Sequence, residues 1–168
     1  MKKVKISKNK VVLVDDSDFK LVNSYRWYAE KHRSTYYAYN SVRKGNITEH
    51  SSMHRLIMDA EDGQQVDHKN GDGLDNRREN LRICTNVQNQ GNRKTSTHYG
   101  GNTCSSTFKG VSWHKPANKW TAQICKEKVK RHLGCFILEE DAARAYDKAA
   151  KEYFGEFALL NFPEDWTN

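Results

Sequence analysis

The chain has 168 residues, with 28 basic against 21 acidic side chains and a formal net charge of +7. Only 36% of the residues are hydrophobic, which is below average for a globular protein, so we expect one or two small domains rather than one large core. Neither a transmembrane span nor a secretory signal is expected, because no long apolar stretch occurs. The four cysteines are widely spaced and form no CxxC pair, which argues against a disulfide framework and favours a reducing cytosol.

The composition changes near the middle of the chain. Residues 95–106 are small and polar and contain a Gly-Gly pair, which is typical of a linker. Residues 1–95 carry 18 basic and 12 acidic side chains, whereas the later acids, apart from Glu127, follow a basic stretch from Lys109 to Arg131. We therefore predict a domain over 1–95, a linker over 96–106 and a second domain over 107–164.

The first half begins with a predicted strand at Val11–Val14 and a short helix that ends near Ser24. Tyr36–Tyr39 and the stretch before Met53 are β-prone. His54–Met58 fits a strand and a helix equally well by its period.

A strand–loop–strand–helix pattern follows. Val66–Lys69 and Asn80–Cys84 are the predicted strands, and the Gly/Asn/Asp-rich residues 70–76 form the loop between them. A threonine and a glutamine at capping-box spacing predict a helix over about Asn86–Lys94.

This pattern carries the side chains that phosphodiester hydrolysis requires. Asp67 and His68 are adjacent on one predicted strand, so they point to opposite faces unless the strand ends there and the backbone turns. Asn89 and Arg93 are four residues apart on the predicted helix and therefore share one of its faces. Carboxylate and amide oxygens suit Mg²⁺ or Mn²⁺, and a histidine can accept a proton from water near neutral pH. A general base supplies only ~10²–10⁴-fold, so metal and electrostatic effects must supply most of the acceleration.

Four segments of the first half resemble the HNH, or ββα-metal, nuclease family. They are Met53-His54-Arg55, Val66-Asp67-His68-Lys69-Asn70-Gly71-Asp72, Asp75-Asn76-Arg77-Arg78-Glu79-Asn80-Leu81-Arg82 and Asn86-Val87-Gln88-Asn89. The resemblance is strongest to phage-type homing endonucleases, in which an asparagine replaces the last histidine. It implies a ββα core over about 64–94.

The same resemblance implies a role for each matching residue. His68 matches the general base, Asp67 and Asn89 match the metal ligands, and Asn80 matches the asparagine that pins the loop and orients the histidine. His54 and Arg55 match a pair with a structural or phosphate-binding role. Arg93 stands where the family has a further ligand or a phosphate contact.

The second half is predicted to contain three strands and one helix. The strands cover roughly Lys109–His114, Trp120–Lys126 and Arg131–Phe136. The helix covers Glu139–Phe154, with apolar residues at helical spacing and Gly155 as its C-cap. With the first half, this predicts an α+β protein.

Five segments of this half resemble the plant ethylene-response-factor (Apetala-type) DNA-binding domain. They are Phe108–Trp113, Lys119–Ile124, Leu133–Phe136, Asp141–Ala150 and Leu160–Pro163. The resemblance implies a three-stranded antiparallel sheet that enters the major groove of double-stranded DNA, with one helix packed behind it. The candidate DNA contacts are Lys109, Trp113, Lys115, Lys119, Gln123 and Arg131.

Some aromatic and strand positions keep two interpretations. Trp113 fits sheet packing as well as a groove contact, and Tyr36, Tyr37 and Tyr39 fit packing as well as base stacking. Strand positions that hold Arg or Trp in the plant domains hold Ser112, Cys125 and His132 here, so the plant target sequence does not transfer.

The sequence predicts a metal-dependent, homing-type HNH endonuclease that nicks or cleaves double-stranded DNA, with Mg²⁺ or Mn²⁺ as cofactor. A one-metal site favours nicking. The alternative is a DNA-binding regulator with an inactive nuclease fold. We expect a monomer or weak dimer without a membrane partner, encoded by a phage and located in the cytoplasm of a bacterial host.

Overall fold

The computed structural model describes residues 1–32, 35–94, 98–99 and 102–166. The chain divides into two compact units, Met1–Asn86 and Val87–Asn168, which are described separately below. Both contain helices and strands, so the predicted α+β class is confirmed. The predicted domain boundaries at residues 95 and 107 stay predictions, and residues 95–97 and 100–101 of the predicted linker region lie outside the described residues.

The first unit begins with an antiparallel hairpin and a short helix. Strands β1 (Lys2–Ile6) and β2 (Lys10–Val14) pair with Val4 opposite Val12. Helix α1 (Asp16–Asn23) follows, as the acidic N-cap candidates indicate. The strand at β2 and the helix were predicted, whereas β1 was not, because its alternating lysines carry a weak apolar signal.

A three-stranded antiparallel sheet comes next. It consists of β3 (Tyr28–His32), β4 (Thr35–Lys44) and β5 (Ile47–Ser52), with β4 in the centre. Helix α2 (Met53–Met58) follows directly, so the ambiguous segment is helical. Met53 and Ile57 are buried on one side of α2, four residues apart, which is the helical period.

Strands β6 (Gln65–His68) and β7 (Leu81–Cys84) form the second antiparallel pair of this unit and confirm the strand–loop–strand prediction. One apolar cluster joins these strands to the hairpin, the sheet and the helices. Its buried members are Val4, Val12, Val14, Val22, Trp27, Ala38, Met53, Ile57, Val66 and Leu81. This core supports the strand that carries Asp67 and His68.

Helix α3 (Asn86–Gly91) is shorter than predicted. It ends at Gly91, where an added Cβ would lie 2.7 Å from Cγ of Phe154. The prediction that Asn89 and Arg93 share a helix face is therefore wrong, because Arg93 lies beyond the last helical residue. Two short strands follow, β8 (His98–Tyr99) and β9 (Asn102–Thr103), which pair with each other.

The rest of the second unit is a three-stranded antiparallel sheet with one long helix. The strands are β10 (Val111–His114), β11 (Lys119–Lys126) and β12 (Val129–Phe136), with β11 in the centre. Helix α4 covers Glu139–Phe154, as predicted, and Gly155 is its C-cap.

Small residues let α4 approach the sheet closely. Ala122, Ala142 and Ala143 are fully buried together with Val111. Gly110, at φ +77°, passes so near Tyr146 that an added Cβ would lie 2.0 Å from the ring. Among the residues that the structure describes, no helix is long and apolar enough to span a membrane.

Candidate active site

Asp67 and His68 end strand β6, and the backbone turns immediately afterwards. Gly71, at φ +69°, donates its N–H to the carbonyl oxygen of His68 over 2.8 Å. Asp67 and His68 are only 7% and 4% exposed. Two buried titratable side chains thus occupy the last two positions of β6.

Asn80 pins the loop that follows His68. Its Oδ1 accepts the N–H of Asn70 over 3.1 Å, and its Nδ2 donates to Asn70 Oδ1 over 3.1 Å and to the carbonyl oxygen of Asp75 over 2.8 Å. These bonds give Asn80 the loop-pinning geometry that the HNH resemblance implies. Asn80 thereby satisfies the Asn70 N–H and the Asp75 carbonyl oxygen, which belong to neither a strand nor a helix.

Asp75 is a second anchor of the loop. It accepts hydrogen bonds from Asn70 Nδ2 at 3.0 Å and from Arg77 Nε and Nη2 at 2.8 and 2.7 Å. The Arg77 guanidinium lowers the pKa of the Asp75 carboxyl below its ordinary value. The loop is also tied to β2, because Leu13 donates to the Leu74 carbonyl oxygen over 2.9 Å.

Asp67 forms a buried ion pair with Arg82. Arg82 Nε and Nη2 donate to Oδ2 of Asp67 over 2.9 and 2.8 Å, and the two side chains are 7% and 12% exposed. The residues are direct partners across β6 and β7. We did not predict this pair from the sequence, although opposite charges at facing positions of a predicted hairpin are a usable signal.

The His68 imidazole lies between two other rings. The centroid of His54 is 5.1 Å away and that of Tyr37 is 5.6 Å away, both edge-on. Burial lowers the pKa of His68, while the Asn76 side chain and the nearby carboxylates of Asp67, Asp72 and Asp75 oppose that shift. His68 is therefore neutral near pH 7, the state in which an imidazole accepts a proton.

His54 supports the same ring cluster. Its Nε2 lies 3.2 Å from Ser52 Oγ, and its Nδ1 is buried without a hydrogen-bond partner in the described part of the chain. Burial, His68 and Arg55 together lower the pKa of His54 to about 3. His54 therefore stays neutral through the physiological range.

The Arg55 side chain binds backbone carbonyl oxygens and does not point towards the end of β6. Its guanidinium donates to the carbonyl oxygens of Gln64, Ala60 and Glu61, the last two over 3.1 and 2.9 Å. These bonds favour the structural alternative for Arg55 over phosphate binding. They fix the segment between α2 and β6.

The predicted metal ligands lie in different units. Asp67 ends β6 in the first unit, and Asn89 lies on α3, whose residues from Val87 onward belong to the second. Among the described residues, no group of three or more His, Cys, Asp or Glu side chains could hold an ion. The donor chemistry of Asp67 and Asn89 fits Mg²⁺ or Mn²⁺, which bind few protein oxygens and complete their shell with water and substrate phosphate.

The predicted DNA contacts of the second unit fall into two groups. Lys115, Lys119 and Gln123 are exposed. The other three have partners within the unit: Trp113 packs on Trp120 with ring centroids 5.0 Å apart, Arg131 Nη1 donates to the hydroxyl of Tyr153, and Lys109 Nζ donates to the carbonyl oxygen of Gly91. A DNA contact by any of these three would compete with those interactions.

Two comparisons with known proteins show the family of the chain. The sequence profile of an HNH endonuclease family, HNH_3, matches residues 52–90, which cover α2, β6, the loop, β7 and most of α3. An uncharacterized HNH endonuclease of Acanthamoeba polyphaga mimivirus is 31% identical over 143 residues, which are 84% of this chain and 69% of that protein. The chain therefore belongs to the HNH endonuclease family.

Plant transcription factors match a shorter part of the chain. An AP2/ERF and B3 domain-containing protein of Oryza sativa subsp. japonica is 49% identical over 59 residues, which are 35% of this chain and 16% of that protein. An AP2-like ethylene-responsive transcription factor of Arabidopsis thaliana is 39% identical over 69 residues, which are 35% of this chain and 23% of that protein. The chain thus spans less than a quarter of either plant protein, and no solved structure matches it.

Proposed function

We propose that this protein is a metal-dependent endonuclease that nicks double-stranded DNA and binds it through the second unit. One observation carries the proposal: a buried, neutral His68 stands beside Asp67 at a strand end whose following loop is pinned by Asn80. The membership of the HNH endonuclease family supports a nuclease acting on DNA.

His68 accepts the proton of the attacking water in this proposal. Because burial keeps the imidazole neutral, the base is ready at neutral pH without prior deprotonation. The rings of Tyr37 and His54 restrict its rotation, and the Asn80-pinned loop fixes the backbone at the strand end. This chain's contribution is thus an oriented base in a partly dehydrated site.

Asp67 and Asn89 would hold the divalent ion, Mg²⁺ or Mn²⁺. When bound, the ion supplies charge stabilisation to the phosphate and the leaving oxygen. Arg82 orients the Asp67 carboxylate before the ion binds, because its Nε and Nη2 both donate to Oδ2 of Asp67. A single ion site supports nicking of one strand in each event.

The second unit acts as the sequence-recognition module in the proposal. Similarity to the AP2-type plant proteins supports this role, and Lys115, Lys119 and Gln123 are exposed for contacts with DNA. A homing role, a monomeric or weakly dimeric state, a phage origin and the cytoplasm of a bacterial host are further parts of the proposal. The mimivirus relative supports a viral gene in general.

The test is a plasmid nicking assay in Mg²⁺ or Mn²⁺. We expect wild type to convert supercoiled plasmid to the open-circular form, and His68→Ala to lower the rate by ~10²–10⁴-fold, the usual contribution of a general base. The control is Asn23→Ala, which changes an exposed residue at the end of α1 in the same unit and should leave the rate within about twofold. Equal rates for His68→Ala and wild type would exclude His68 as the base.

The Asp67–Arg82 pair favours one alternative, a DNA-binding regulator with an inactive nuclease fold, because the candidate metal-binding carboxylate already has a cationic partner. A regulator would bind duplex DNA tightly and produce no open-circular product with either metal, for wild type and His68→Ala alike.

A further inference from the structure

A row of aromatic rings extends from His68 across one face of the β3–β4–β5 sheet. Tyr37 lies 5.6 Å from His68 and 5.7 Å from His32, measured between ring centroids. His32 is 5.6 Å from Tyr39, and Tyr39 is 6.2 Å from Tyr28. Tyr28, His32, Tyr37 and Tyr39 are called the aromatic strip below.

The strand register puts the strip on the sheet face away from the core. Tyr28 pairs with Tyr39, so both side chains lie on the same face. Ala29 and Ala38, which pair next to them, are 2% and 1% exposed, and Ala38 belongs to the core cluster. Since side chains alternate along a strand, the strip faces outward.

The strip rings are partly exposed. The three tyrosines are half-buried and His32 is exposed. The rings of Tyr28 and His32 are inclined to Tyr39 by 31° and 37°, whereas Tyr37 meets His32 edge-on at 85°. Burial and nearby Glu30 raise the pKa of Tyr39, which keeps its phenol neutral beside a polyanion.

The position of the strip limits what can cover it. Tyr37 is the strip residue in contact with His68, so a strand whose phosphodiester reaches His68 has neighbouring nucleotides within reach of the strip. Aromatic side chains stack on nucleobases with little sequence preference, since every base has a π-face, but only bases released from a duplex expose that face.

We propose that the aromatic strip binds unpaired nucleobases of the DNA strand that enters the His68 site. The inference rests on the proposed nuclease function, because that function brings DNA to His68. It adds a second DNA-contact surface in the first unit and predicts that the nuclease holds locally opened DNA. Arg43 lies further along the same face of β4 and is exposed, so its cation suits the backbone of such a strand.

The experiment measures binding of the full chain to fluorescein-labelled 12-nucleotide oligo-dT and to a 12-base-pair duplex, in EDTA to prevent cleavage. We expect Tyr39→Leu and Tyr28→Leu each to weaken oligo-dT binding by at least about fivefold, with less than a twofold change on the duplex. Tyr36→Leu is the matched control, because Tyr36 is a half-buried tyrosine of the same strand on the opposite face. It should leave oligo-dT binding within about twofold.

Tyr39→Phe keeps the ring and guards against misfolding of the leucine variants. It should retain wild-type oligo-dT affinity, and a fivefold loss in Tyr39→Phe would overturn stacking. Equal weakening of duplex and oligo-dT binding, or no weakening of oligo-dT binding in folded Tyr39→Leu, would also overturn it. Plasmid nicking by the wild type separates the two proposals. If the wild type nicks plasmid but the strip variants bind oligo-dT with normal affinity, the nuclease proposal stands and only the aromatic-strip proposal fails.

Discussion

The two units differ in what they bury. The first unit buries a set of polar and charged side chains, namely Asp18, Asn40, Ser52, Asp67, His68, Asp75, Asn76 and Asn80. In the described part of the second unit, the buried polar side chains are Ser106 and Asp147, and the core between sheet and helix is built largely from alanines and aromatic rings.

The difference in buried polar side chains indicates that the two units are stabilised in different ways. Buried charges add little net stability, because their desolvation offsets most of the attraction between them. The first unit nevertheless pairs the buried carboxylates of Asp67 and Asp18 with Arg82 and Arg78, and both arginines follow the strand end in the sequence. Its polar interior therefore fixes geometry, whereas the second unit depends on close apolar packing and one buried carboxylate.

The largest expected effect on stability lies in the second unit, at Asp147. This fully buried carboxylate accepts the N–H of Asn161 over 2.9 Å, Asn161 Nδ2 over 3.0 Å and the N–H of Phe162 over 2.8 Å. Asp147→Ala leaves these donors without partners, so we expect the free energy of unfolding to fall by about 4 kcal/mol in urea denaturation. Asp141→Ala, an exposed change on the same helix, should cost less than about 1 kcal/mol. Similar losses in both variants would contradict the buried-network account.

A smaller loss of stability, but a loss of activity, is expected for Asn80→Ala in the first unit. The substitution removes three hydrogen bonds from the loop after His68. We expect about 2–3 kcal/mol less unfolding free energy and at least about a tenfold slower nicking rate. Asn23→Ala, at the exposed end of α1, is the control. A destabilised Asn80→Ala that nicks at the wild-type rate would show that the loop does not orient His68.

The smallest expected effect is a dependence of stability on pH. The pKa of His54 is about 3 in the folded chain, below its ordinary value of 6.5, so only the unfolded chain takes up the proton between these values. The contribution of His54 to the free energy of unfolding is therefore largest well above pH 6.5, and it falls as the pH drops towards 3. Between pH 7.5 and 5.5 the loss from this group is about 1 kcal/mol in urea unfolding.

His54→Phe keeps a ring in the cluster and removes this proton uptake. The loss between pH 7.5 and 5.5 should therefore shrink by about 1 kcal/mol relative to wild type. An unchanged loss would mean that His54 is protonated in the folded chain.

Sequence patterns predicted the elements that local signals define. Helix α4 has the predicted bounds, because an acidic first turn, regular apolar spacing and a terminal glycine all lie within it. The β6–loop–β7 segment was also predicted, since its turn residues are unmistakable. Strands β1 and β3 were missed, and α3 was predicted too long because the contact of Gly91 with Phe154 joins residues far apart in sequence.

The main residues of the candidate site were predicted from the sequence, but the neighbouring side chains that hold them in place were not. His68, Asp67 and Asn80 were found from a local motif. Tyr37 was left between packing and stacking, because its contact with His68 depends on how β4 packs against the β6 strand end. The structural use of Arg55 was one of two interpretations, and only the carbonyl positions after α2 decide between them.

Asn161 also has a consequence for how the second unit can be combined with other proteins. Its Oδ1 accepts the N–H of Lys109 over 2.7 Å, across 52 positions of sequence, so the two extremities of the sheet-and-helix segment meet. A domain whose two ends lie close together can be inserted into a longer polypeptide at one surface position without distorting the surrounding fold. Such portability agrees with the plant relatives, in which stretches of 59 and 69 matched residues form less than a quarter of much longer chains.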